Sequence, residues 1–201
     1  MNLRHEAALL VLLGASVTLG SACSSKDDPG KGPQPGGNVA SNVKATIQCA
    51  GDGKEWSANL DVETVRQCRY SGTGKGLAIE LGPKAGSTTH PNDVMKILLA
   101  NYHGAGTYEA SGPTIPTRID LSAARDGGDP KDTLGITTWA CDQECVIEVG
   151  PNDLLAAAAN TEVSVPIDIR CSKIGEVGSG CKVSCSMKPE PIHLLLRCSG
   201  G

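Results

Sequence analysis

From Val43 to the C-terminus, apolar and polar residues alternate in short runs. Val43, Ala45, Ile47 and Cys49 alternate with Lys44, Thr46 and Gln48. Trp56, Ala58, Leu60 and Val62 repeat the pattern, as do Leu77, Ile79 and Leu81. Residues 94–103 form a longer and more apolar run. Ile115, Ile119 and Leu121 follow, then Leu134 to Trp139, then Cys145, Ile147 and Val149. Val163, Val165, Ile167, Ile169 and Cys171 alternate with Ser164, Pro166, Asp168 and Arg170. Cys181, Val183 and Cys185 come next, and Ile192, Leu194, Leu196 and Cys198 close the chain. A period of two turns one face of each strand inward and the other outward. Gly, Pro and Asp punctuate the runs. The pattern predicts an all-β fold, an antiparallel β-sandwich or a barrel-like sheet, with at most one short helix. The helix falls at Asn152 to Ala159, capped by Asn152 or Asp153 and ended by Asn160. Pro166 suits an edge strand or a strand break, because it has no N–H to give a ladder.

Tyr102-His103-Gly104-Ala105-Gly106-Thr107-Tyr108 reads as a hairpin with a Gly-Ala-Gly loop. That register sets His103 opposite Thr107 and Tyr102 opposite Tyr108 as an aromatic pair. The stretch resembles a Tyr-x-Gly-x-Gly-Thr-Tyr segment of various β-rich bacterial lipoproteins. The resemblance implies a β-rich envelope protein and carries no chemistry. Residues 43–49 and 165–171 share spacing and a terminal cysteine, and Arg170-Cys171-Ser172 recurs as Arg197-Cys198-Ser199. Alternating strands look alike, so this echo is read as strand pattern rather than duplication.

Residues 1–42 lack the alternation. Arg4 precedes an unbroken apolar run from Ala7 to Leu13, and Gly14 to Ala22 stays small and apolar. The run is short for a membrane-spanning helix of about 20 residues and reads as an export signal, residues 1–22. Leu19-Gly20-Ser21-Ala22-Cys23 resembles the lipobox of bacterial lipoproteins. The usual Leu stands three places before the cysteine; here Gly20 holds that place and Leu19 lies one further back. An ordinary signal cut nearby, leaving an odd thiol, is the alternative. The resemblance implies cleavage before Cys23, diacylglycerol on its sulfur and an acyl chain such as palmitate on its amine. Several chains anchor firmly where one binds marginally. Ser24 in place of the Asp that often marks inner-membrane retention implies the outer membrane. Residues 23–42 are rich in Gly, Pro, Ser and charge and read as a flexible, lipid-anchored linker. As a coil it spans about 25 Å. Residues 43–201 form the β domain.

The formal charge is −4. The signal removes Arg4 and Glu6, so the mature chain keeps that balance. A mildly acidic chain lacks the basic surface that nucleic acid needs, so no nucleic-acid partner is expected. There is no Phe, and Trp56, Trp139, Tyr70, Tyr102 and Tyr108 are the whole aromatic set. The core must be Val, Ile, Leu and Ala, and a core that thin needs staples. Nine cysteines include Cys23. The remaining Cys49, Cys68, Cys141, Cys145, Cys171, Cys181, Cys185 and Cys198 are even in number, as four disulfides in an exported protein require. Cys181 and Cys185 lie on one face of a predicted strand, about 13 Å apart and too far to pair. If 141–145 and 181–185 are antiparallel neighbours, Cys141 meets Cys185 and Cys145 meets Cys181. Cys49 would then join Cys68, and Cys171 would join Cys198. Alternatively Asp142-Gln143-Glu144 is a turn and Cys141 joins Cys145.

Catalytic and metal motifs are scarce. There is no Gly-x-Ser-x-Gly elbow and no His-Glu-x-x-His. His90 precedes Pro91 in a loop, His193 lies on the polar face of a strand, and His103 sits in the hairpin segment. A triad assembled in space remains the only catalytic option. Gly72-Thr73-Gly74-Lys75-Gly76 lacks Walker spacing and reads as a turn. Asp126-Gly127-Gly128-Asp129-Pro130-Lys131-Asp132 offers carboxylates to calcium but lacks a bidentate Glu, and reads as a solvated turn. Cys141-x₃-Cys145 and Cys181-x₃-Cys185 have the look of zinc arms, but exported thiols oxidise. No cofactor or metal is expected. Few aromatics leave little for sugar stacking beyond Trp56 or Trp139. The expected function is a binding or interaction module, held to the membrane through acylated Cys23 and engaging a protein or small-molecule ligand. The alternative is an envelope hydrolase.

Overall fold

The computed structural model describes residues 39–72, 74–110, 117–138 and 144–201. The signal, Cys23, most of the linker, Thr73, Ile115, Trp139 and Cys141 lie outside the described residues. The strands are β1 (Val39–Gly51), β2 (Lys54–Ser71), β3 (Gly76–Gly82), β4 (Val94–Leu99), β5 (Gly106–Ala110) and β6 (Thr117–Arg125). They continue as β7 (Thr133–Thr137), β8 (Glu144–Val149), β9 (Glu162–Glu176), β10 (Val183–Lys188) and β11 (Ile192–Ser199). The fold is all-β and its ladders are antiparallel, apart from parallel bridges of Ser199 to Arg69 and of Gly200 to Ala159.

The pairing order is β10-β1-β2-β3-β4-β6-β7-β9-β8-β5, and a β10–β9 pairing closes eight of these strands into a circuit. The two longest strands make the closure possible by changing partners along their length. The first half of β2 pairs β1, and its second half pairs β3 across a register shift between Val65 and Gln67. The first half of β9 pairs β11, and its end pairs β10 and β7. Strands that bend at a bulge and switch neighbours turn the corners of packed sheets. The inward set is the one the alternation predicts: Ile47, Leu60, Leu77, Ile97, Ile119 and Ile147 are fully buried.

Several local expectations change. The helix at Asn152 to Ala159 is a 3-10 turn of Leu154–Ala156. Asp153 is its N-cap residue but makes no capping bond with its side chain; Asn152 Oδ1 instead accepts the Leu154 N–H at 3.1 Å. Pro166 lies inside β9, opposite Leu195 of β11. It sits one residue beyond the last β8 rung, Val149 to Ile167, where that ladder ends. Its carbonyl accepts the Gly150 N–H at 2.9 Å. Position 150 needs glycine there, since a Cβ would stand 2.8 Å from the Pro166 ring.

Tyr102 to Tyr108 is not a hairpin. β4 is flanked by β3 and β6, so β5 crosses away and pairs β8. The crossing is tied by a side chain instead of a ladder. The Tyr108 hydroxyl donates to Gly104 O at 2.7 Å and accepts the His103 N–H at 3.0 Å. Gly104 takes a φ of +97°, which suits a residue without Cβ. The rings of Tyr102 and Tyr108 still meet, stacked at 6.0 Å, and Tyr70 leans on Tyr102 at 5.6 Å. Burial raises the Tyr102 and Tyr108 hydroxyls above the usual phenol pKa.

The disulfides correct the expected connectivity. Cys49 joins Cys185, Cys68 joins Cys198 and Cys145 joins Cys171. The Cys49–Cys68, Cys171–Cys198, Cys141–Cys185 and Cys145–Cys181 pairs are excluded: the last two assumed the wrong strand neighbour, and the first two were the cysteines that assumption left over. β10 lies beside β1, where Cys49 and Cys185 are register partners. β8 lies beside β9, where Cys145 and Cys171 are. Cys141 to Cys145 is excluded for the same reason. Cys181 is not a strand residue: it precedes β10 with a φ of +68°. It too is disulfide-bonded, to a cysteine outside the described residues. Such bridges typically stabilise by about 2–4 kcal/mol each, which a core without Phe uses.

Candidate functional site

The three histidines of the domain fall in separate places. His193 of β11 sits opposite Asp168 of β9, with Nδ1 2.6 Å from Oδ1, on an exposed face. His103 stacks on Tyr108 at 4.7 Å. His90 lies before β4, with Nδ1 3.1 Å from Asp93 Oδ2. Ser87 is close by, but its Oγ accepts the His90 backbone N–H at 3.2 Å. Among the described residues no hydrogen bond joins a serine or threonine hydroxyl to a histidine ring, so the nucleophile–base contact of a triad is not made.

Asp93 is the residue that sequence reasoning missed. It is fully buried, at the point where β6 passes from pairing β4 to pairing β2. Its Oδ2 accepts the Asp61 N–H at 2.7 Å and its Oδ1 accepts the Ala124 N–H at 3.1 Å. These are the donors that the change of partner strands. Burial, the largest influence, raises the carboxyl above its ordinary pKa, against the pull of the two N–H groups and His90. A carboxylate in the polar stretch that follows Pro91 gives no periodic signal, so its burial was not legible.

The two loops with ligand-like composition are turns. The Gly74 N–H donates to Ser71 Oγ at 3.3 Å, and Lys75 O accepts the Tyr102 N–H at 2.8 Å, which fixes the β2–β3 turn. In the β6–β7 turn, Asp126 accepts from Ser57 Oγ and Asn59 Nδ2, while Asp129 Oδ1 accepts the Lys131 N–H at 2.9 Å. The carboxylates are spent on different donors. Among the described residues no group of His, Cys, Asp and Glu is arranged to hold a metal.

A concavity of about 650 Å³ spans β10, β1 and β2. Its lining includes Gln48, Glu55, Ser57, Ser172, Ser184 and Ser186. Register explains it. Ser186, Gln48 and Ser57 form one row across the three strands, and Ser184, Ala50 and Glu55 form the next. Cys49, Cys185 and Trp56 form the row between, on the core side. The short side chains of Ala50, Ser184 and Ser186 leave a dip between longer ones. Trp56 is half-buried against the core, with the Arg125 guanidinium 5.8 Å from its ring, so it supports the floor rather than offering a stacking face. The volume lies within the range of about 300–1,000 Å³ that small-molecule sites occupy. No protein-family model, curated protein or solved structure matches this chain.

Proposed function

We propose that this protein is a lipid-anchored envelope lipoprotein whose β domain acts as a binding module. The anchor is Cys23, and the outer membrane is the membrane that Ser24 favours. The observation that carries the reading is the state of the cysteines. All seven described cysteines are disulfide-bonded, a state that persists in oxidising compartments outside the cytoplasm. Six pair with one another, and Cys181 takes one more. With Cys141 as its partner, Cys23 alone is left over, and an acylated sulfur needs no partner. The wide polar cleft supports binding over catalysis. Metabolic labelling with a radioactive fatty acid is expected to mark the protein, and Cys23→Ser to abolish the label. Label that persists in Cys23→Ser overturns the anchor.

The second reading, an envelope hydrolase, is favoured by the gathering of Ser87, His90 and Asp93 in one loop. Ester hydrolysis that is lost in both Ser87→Ala and His90→Ala would support it. Hydrolysis that survives both would exclude this loop as its source.

A further inference from the structure

We propose that the cleft over β10, β1 and β2 binds a neutral oligosaccharide through hydrogen bonds alone. The inference rests on the binding-module reading and names its ligand class. The two rows of outward side chains form a grid. Neighbouring strands lie about 4.8 Å apart and alternate residues about 7 Å, so six positions cover about 10 by 7 Å, the footprint of one to two sugar rings. The grid holds three hydroxyls, an amide and a carboxylate around Ala50. A hydroxyl or amide both donates and accepts, as a sugar hydroxyl does. Gln48, Glu55, Ser184 and Ser186 have no hydrogen-bond partner among the described residues, so their groups are free for a ligand. Ser57 and Ser172 are already held, by Asp126 and Glu144, and so fix the border.

The same lining excludes other classes. It holds no Lys or Arg, so an anionic ligand meets only the Glu55 carboxylate. Trp56 is the one large apolar side chain in the lining, and it packs on the core with the Arg125 guanidinium against its ring, so a lipid or aromatic ligand gains little burial there. A polyhydroxylated neutral molecule meets every free group with a hydroxyl that can donate or accept, donating to the Glu55 carboxylate and exchanging both roles with Gln48, Ser184 and Ser186. Without stacking, such a site is weak, and an anchored protein beside its ligand tolerates weakness because confinement raises local concentration.

The test is saturation-transfer NMR on the purified full-length protein with maltotetraose, cellotetraose and chitotetraose, and tetragalacturonate as the anionic control. At least one neutral tetrasaccharide is expected to saturate at or below about 1 mM. Tetragalacturonate is expected to bind at least tenfold more weakly. Gln48→Ala with Ser186→Ala is expected to weaken the neutral sugar at least tenfold, while His193→Ala, outside the cleft lining, leaves it unchanged. Both altered positions of the double variant lie on the outward face, so circular dichroism should match the parent. No saturable transfer from any neutral sugar, or binding unaffected by the double variant, overturns the carbohydrate assignment. Equal or tighter binding of tetragalacturonate overturns the neutral class. Fatty-acid labelling of Cys23 is read separately, so a failed titration beside positive labelling removes the sugar and leaves the anchored module.

Discussion

Asp93 shows how one side chain holds a junction between strands. Its carboxylate accepts two backbone N–H groups from β2 and β6 at a fully buried place. Removing the acceptor leaves buried donors unsatisfied, so Asp93→Ala is expected to destabilise by about 2–4 kcal/mol. Its pH dependence has a definite sign. Burial raises the folded carboxyl above its unfolded value, so the native state binds the proton more tightly. The stability contributed this way is full below the unfolded pKa and is lost as pH rises through the folded pKa. Asp93→Asn removes that slope. Chemical denaturation at stepped pH should show the parent gaining on Asp93→Asn as pH falls through the folded pKa, and a constant difference would contradict this. Tyr108 does similar work with a neutral group. Tyr108→Phe strips Gly104 O and the His103 N–H of their shared partner and should cost about 1–3 kcal/mol in a denaturant titration.

Single strands were the legible unit. Alternation depends only on which face a residue takes, and the core places Ile47, Leu60, Ile147 and Ile169 inside as their spacing required. Which strand lies beside which is a different quantity. Tyr102 to Tyr108 has hairpin residues, but β3 and β6 already hold both edges of β4. The aromatic contact therefore survives while the ladder does not. The cysteine pairs failed for the same reason, since each follows from a neighbour relation across a long loop. Cys181 failed locally: its left-handed backbone, with Gly178 and Gly180 also at positive φ, makes it a turn residue. The cleft was equally illegible, because its rows come from three strands whose adjacency no local pattern states. Peptide mapping without reduction is expected to link Cys181 to Cys141. A Cys181–Cys23 peptide would remove the acceptor for the lipid and with it the anchor.

At the scale of the whole domain, the closed circuit depends on two long strands that each serve two neighbourhoods. β1 meets β10 only because β9 has turned to receive β10, and the Cys49–Cys185 bridge locks that meeting. The closure gives each strand of the circuit a partner on both sides, which leaves fewer edges to template pairing with another chain. The Cys49–Cys185 and Cys68–Cys198 bridges also overlap along the chain, each spanning well over half the domain. A single cut anywhere between Cys49 and Cys198 therefore severs the backbone without freeing either piece. Limited proteolysis in the Asp126–Asp132 turn should give two bands on a reducing gel and one full-length band without reductant. A peptidase that nicks such a turn therefore sheds nothing: the two pieces stay joined through sulfur, with their strands still paired.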